Sequence, residues 1–229
     1  MRRLLYVPIL HEEADFGSLG PALARASATL SGSQRWAMHL ETVRGFWESV
    51  AAYLDLFDAG QLRVYQDGLA AEGALGRRIV EEGASRCSQN YGLVLGLLRR
   101  GAQLRKTEDP ALLLQERAYL TDAAPGVPSN EARQELMERR DISIAQAINA
   151  TLREGEAGVL LIGAGHNVLP HLSRDICVEL VKDPKKVVQY MREVLLGESS
   201  AELEDLASYV AAPVNAWPRG ETRGSGQSL

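Results

Sequence analysis

The sequence predicts an α/β fold with a mainly parallel central sheet of about five strands, covered by helices on both faces. Three observations lead there. Five short segments that read as strands, 3–10, 61–66, 102–106, 159–163 and 176–181, lie among longer helical patterns. The run Val159-Leu160-Leu161-Ile162, between Gly158 and Gly163, is apolar at consecutive positions, which marks a strand buried on both sides. Between the first two runs lies a long amphipathic stripe, Trp36, Leu40, Val43, Trp47, Val50, Leu54 and Phe57, which is a helix packing on a sheet.

Taken in order, the first strand (3–10) contains Pro8, which cannot donate to a ladder. That predicts an edge position or a strand that stops there. It delivers His11, Glu12, Glu13 and Asp15 into a loop, followed by a short helix over 21–31. The helix 36–57 follows, with Gly60 as its expected C-terminal cap. The strand 61–66 ends at Asp67-Gly68, and helices over 69–82 and 88–100 lead to the short strand 102–106, which ends at Thr107-Glu108. Asp109-Pro110 is an N-cap with proline at the first helical position, so a helix runs over 110–121. A long helix over 130–154 starts at Ser129 or Asn130. Its buried face is expected to hold Met137, Ile144, Ile148 and Leu152, with Arg133 and Arg140 on the same face and Asp141 beside it. An arginine on an apolar stripe is expected either to be buried with carboxylate partners or to snorkel at the edge of the stripe. After the strand 159–163 come a short turn through Pro170 and His171, the strand 176–181, and helices over 184–196 and 199–211. The expected organisation is one domain, 1–212, and a disordered tail, 213–229, that has almost nothing to bury.

Composition narrows the function classes. The chain has 229 residues, a net charge of −5 and interspersed acids and bases, so it carries no electrostatic footprint for nucleic acid. No apolar stretch approaches the roughly 20 residues of a membrane span, and the start, MRRLLYVPILHEEAD, is too short in apolar residues for a signal peptide. Cys87 and Cys177 form no CxxC pair, which points to a reducing, cytoplasmic setting and away from a cysteine zinc site. The expected partners are a small-molecule or peptide substrate and a second copy of the chain, with no nucleic acid or membrane.

Four strand ends deliver polar groups: His11 with Glu12 and Glu13, then Asp67, then Glu108, then His166. In a parallel sheet these ends share one edge, where such folds hold their ligands. Two imidazoles and several carboxylates suit a divalent metal such as Zn or Mn, with His11, His166, Glu13 and Asp67 as ligands. The same groups also suit a metal-free general base with an orienting acid. The sequence does not separate the two. Gly163 and Gly165 are expected to turn the chain and leave room for substrate, beside Asn167 and Asp141. A dinucleotide or S-adenosylmethionine loop is the rival reading of Gly163-Ala164-Gly165, but the third glycine of that fingerprint would fall at Val168. His39 and His171 are read as packed or surface histidines.

The stretch ERRDISIAQAINATLREGEAGVLLIGAGHNV, 138–168, resembles the carboxyl-terminal motif region of the TraB/Tiki superfamily, to which erythromycin-esterase-like proteins are related. The residues that carry the resemblance are the Arg140-Asp141 pair on a helix and the strand ending in Gly163, Gly165 and His166. His11 and Asp67 occupy places that correspond to two further landmarks, although His11 has no glycine before it. The resemblance implies an α/β fold with a pocket lined by histidines and acids, and a metal-dependent or histidine-based hydrolase of amide or ester bonds. In that reading His11, His166, Glu13, Asp67, Glu108 and Arg140 do the chemistry. The alternative is a non-catalytic ligand-binding or interaction protein that keeps the pocket.

Overall fold

The computed structural model describes residues 1–10, 32–120, 128–196 and 200–214. The expected helix 21–31 and the tail beyond 214 lie outside the described residues, as do His11, Glu12, Glu13 and Asp15. Five strands form one all-parallel sheet: β1 (Arg2–Ile9), β2 (Leu62–Gln66), β3 (Gln103–Arg105), β4 (Ala157–Gly163) and β5 (Ile176–Leu180). Their spatial order is β3-β2-β4-β1-β5, so the continuous apolar run of β4 is the middle strand. Among the described residues seven helices accompany them: α1 (Ser33–Leu54), α2 (Gly73–Ser85), α3 (Gln89–Arg99), α4 (Pro110–Leu120), α5 (Asn130–Thr151), α6 (Pro184–Leu196) and α7 (Ser200–Ala211).

Alternation along the strands makes two cores. Leu5, Val7 and Ile9 of β1, Val64 of β2, and Val159 and Leu161 of β4 pack with α1, α3, α6 and α7 on one face. Leu4, Tyr6, Tyr65, Leu160 and Ile162 pack with Ile144, Ala145 and Ile148 of α5 on the other. Chain handedness explains the sorting. The connections from β1 to β2 and from β2 to β3 move one way across the sheet and place α1 and α3 on the first face. The return from β3 to β4 puts α5 on the second, as right-handed crossovers require.

The structure corrects several local expectations. β1 is interior, and Pro8 lies within its paired register. Arg2 N–H donates to Asp175 and the Tyr6 carbonyl accepts from Val181, so even-numbered residues of β1 turn their backbone towards β5. Pairing with β5 stops at Tyr6, so the missing N–H of Pro8 faces a side with no strand to receive it. Helix α1 ends at Leu54 with Asp55 as its cap, and Gly60 sits in a separate 3-10 turn. Leu40 in the expected stripe is exposed; His39 is buried in its stead. Helix α2 begins at Gly73, four residues later than its composition suggests. On α5, Leu136 is the buried position near the start, Met137 is half-buried and Arg133 is exposed. Ser129 caps this helix, its hydroxyl accepting from Ala132 N–H at 3.2 Å.

The far end of α5 is fixed by β1. Arg2 Nη1 donates to the carbonyls of Asn149 and Leu152 at 2.7 and 3.1 Å, satisfying oxygens that the helix end leaves open. Gly158 leaves room for side chains of the neighbouring strands: a Cβ there would stand 2.9 Å from Leu4 Cδ1 of β1 and 3.1 Å from Tyr65 Cε2 of β2. Overpacking of this kind typically costs about 1–3 kcal/mol. Gly158→Val is therefore expected to lower the unfolding free energy by at least about that much in urea titrations. An unchanged midpoint would show that the Leu4 and Tyr65 side chains are free to shift.

Candidate active site

The groups at the carboxyl edge are placed by short-range backbone structure. Asp67 follows β2, its N–H donating to the Leu161 carbonyl of β4 at 2.8 Å. Gly68 then adopts a left-handed φ of 73°, which turns the chain away and leaves the Asp67 side chain at the strand tip. Beyond β3, the N–H groups of Thr107 and Glu108 both donate to the Leu69 carbonyl, at 3.0 and 3.1 Å, which draws Glu108 towards Asp67. Asp109 accepts from Ala111 N–H at 2.8 Å and starts α4. From the opposite side α5 presents Arg140 and Asp141, both 4% exposed.

Arg140 is the point on which the acids converge. Its Nη2 donates to Asp67 Oδ1 at 2.9 Å and to Glu108 Oε1 at 2.6 Å, and its Nε donates to Glu108 Oε2 at 3.4 Å. Nη1 is bonded to Glu116 of α4. The carboxylates raise the guanidinium's proton affinity against the opposing effect of burial. Burial raises the pKa of Glu108 from its ordinary value, although Arg140 pulls the other way. Charge-assisted bonds of this kind are the strong ones, and an unpaired member would be a buried charge.

His166 stands beside this cluster, 9% exposed. Its N–H closes the turn onto the Gly163 carbonyl at 3.0 Å. The ring Nδ1 lies 2.5 Å from Asp141 Oδ1, while Asp141 Oδ2 accepts from Asn167 N–H at 2.9 Å. A carboxylate only accepts, so Nδ1 carries the hydrogen and Nε2 holds the free lone pair when the ring is neutral. Nε2 lies 3.6 Å from Asp67 Oδ2, an oxygen that also receives Gly163 N–H at 2.9 Å. Burial lowers the histidine pKa, but the Asp141 hydrogen bond and the charges of Asp67 and Asp141 outweigh it, and the net shift is upward. The Tyr6 hydroxyl donates to the His166 carbonyl at 3.4 Å; burial, then Asp141 and Asp67, push its pKa up to about 12.

The strand tips of β2, β3 and β4 thus do converge, through Asp67, Glu108 and His166. Asp141, expected against substrate, instead lies behind His166 and fixes its tautomer. The side chain of Asn167 is exposed, and its backbone makes the contact within the site. Neither Gly163 nor Gly165 has a left-handed φ, so backbone conformation does not demand glycine at either position. A Cβ at Gly165 would meet nothing within 4 Å among the described residues, so there is open space beside it. His39 is a packed residue: its Nδ1 lies 3.1 Å from the Tyr190 hydroxyl, and burial lowers its pKa to about 4. Glu116 and Tyr6 are the contacts that sequence reasoning missed. The signal for Glu116 was present, since Leu112, Glu116 and Leu120 are spaced by four, placing an acid on an apolar stripe just as Arg140 is placed on another.

Two ligands of one tetrahedral ion, with bonds of about 2.0–2.2 Å, stand about 3.4 Å apart. The 3.6 Å between His166 Nε2 and Asp67 Oδ2 fits two such positions. Among the described residues no group of three His, Cys, Asp or Glu is arranged to hold a metal, and His11 and Glu13 lie outside them. No protein-family model, curated protein or solved structure matches the chain. No described helix is long and apolar enough to cross a membrane.

Removing Arg140 would leave Glu108 buried without its cation. Arg140→Ala is therefore expected to cost about 3–5 kcal/mol of unfolding free energy, read by denaturant titration at neutral pH. A loss under about 1 kcal/mol, the range of exposed ion pairs, would mean the cluster is solvated.

Proposed function

We propose that the protein hydrolyses an amide or ester bond at the carboxyl edge of the sheet, with His166 as the group that moves the proton. The observation that carries this reading is the buried Asp141–His166 pair at 2.5 Å, which leaves Nε2 as the working nitrogen beside Asp67. In the neutral ring, Nε2 accepts a proton from water as the water oxygen attacks the carbonyl carbon. The imidazolium so formed is flanked by Asp141 and Asp67 and then gives its proton to the departing alcohol or amine. Glu108 and Arg140 position Asp67. The TraB/Tiki resemblance over 138–168 belongs to the same reading. A divalent ion, Zn or Mn, held by His166 and Asp67 with His11 and Glu13, would supply Lewis-acid activation of the water or carbonyl in the same place.

The test is turnover of a panel of chromogenic esters and aminoacyl anilides by the wild-type protein and by His166→Ala. General acid–base groups contribute about 10²–10⁴-fold, so the variant should lose at least that lower factor while keeping a cooperative melt. Because the base must be unprotonated and its pKa is raised, kcat/KM should climb with pH through a midpoint above about 6.5. Turnover equal in wild type and His166→Ala would remove the mechanism. No turnover in either, with substrate-like compounds still bound, would favour the ligand-binding alternative.

A further inference from the structure

A guanidinium carries five N–H bonds, and four of those on Arg140 are taken. Nε and Nη2 are committed to Glu108 and Asp67. Nη1 is held by Glu116 alone, and among the described residues its second N–H has no partner. The three acids also differ in their access to water. The side chain of Glu108 is fully buried and that of Asp67 is 14% exposed, whereas that of Glu116 is 31% exposed. Glu116 rides on α4, where Leu112 is the one residue described as buried. One end of the guanidinium is therefore locked into the fold, and among the described residues the other is covered by a single acid at the water boundary.

We infer that Nη1 of Arg140 is the recognition point for a carboxylate on the substrate, and that Glu116 occupies this point until the ligand displaces it. The exchange conserves charge. A ligand anion added beside Glu116 would be a fifth carboxylate near Asp67, Glu108, Glu116 and Asp141, whereas one that replaces Glu116 adds none. It also leaves the fold's own bonds intact, because Arg140 keeps both oxygens of Glu108 and its bond to Asp67. Asp67 reaches from Nη2 to within 3.6 Å of His166 Nε2, so one carboxylate separates the docking point from the working nitrogen. The inference deepens the hydrolase reading and rests on it for the ligand's role as substrate; the binding itself does not require turnover.

Succinate is the probe, titrated calorimetrically into wild type and Glu116→Ala at constant ionic strength set with sodium chloride. A resident group that fills a site most of the time weakens an incoming ligand by the fraction of time the site is open. Glu116→Ala should therefore bind succinate about tenfold or more tightly than wild type, and should keep a cooperative melt. Equal affinity in the two proteins, or no binding by the variant, overturns the inference. So does a gain that chloride reproduces at matched ionic strength, since that would be general screening. Failure of Glu116→Ala to fold overturns it as well, because Glu116 would then be part of the fixed cluster. None of these results alters the turnover comparison of wild type with His166→Ala.

Discussion

The carboxyl edge of this protein depends on one buried cation. β2 contributes Asp67, the end of β3 contributes Glu108, and α4 contributes Glu116; each is an acid that would repel the others in a poorly solvated crevice. The Arg140 guanidinium meets all three. Its planar fork suits the task, because two nitrogens can take Glu108 side-on while the remaining donors reach Asp67 at the end of β2 and Glu116 on α4. A lysine ammonium offers no such division of directions. The other end of α5 is tied to the sheet by Arg2, whose Nη1 donates to the carbonyls of Asn149 and Leu152.

From that arrangement the histidine's chemistry follows. Asp67 is held by Arg140 through one oxygen, so its other oxygen is left towards Gly163 N–H and His166. Asp141, next to Arg140 on α5, reaches the far nitrogen of the same ring. Two neighbouring helix residues therefore act on opposite sides of His166, one directly and one through Asp67. Burial alone would make this a weakly basic imidazole, as it does for His39. The flanking carboxylates reverse the sign.

Much of this was legible in the residues. The central position of β4 followed from four consecutive apolar side chains, and the burial of Arg140 with acidic partners followed from its place on the Ile144–Ile148 stripe. Other features were not legible because they depend on contacts remote in sequence. Pro8 argues for an edge strand in isolation, but its effect depends on where β5 happens to stop. Asp141 looks like a ligand for substrate until the turn at 163–166 is seen to bring His166 onto it. Leu40 fits the apolar stripe of α1 by spacing, yet the helices α6 and α7 that cover α1 meet the turn occupied by His39 and Val43. Glu116 shows the limit most clearly: periodicity marks it as unusual, but only the approach of α4 to α5 gives it a partner.

The proposed chemistry turns on His166 being a flanked imidazole whose Nδ1–H is held by Asp141. A nitrogen-15 NMR titration of the histidine rings reads this directly. His166 is expected to titrate above the ordinary value of about 6.5, and its neutral form to keep the proton on Nδ1. A midpoint at or below that value, with the neutral proton on Nε2, would contradict it, because the ring would then answer to burial alone.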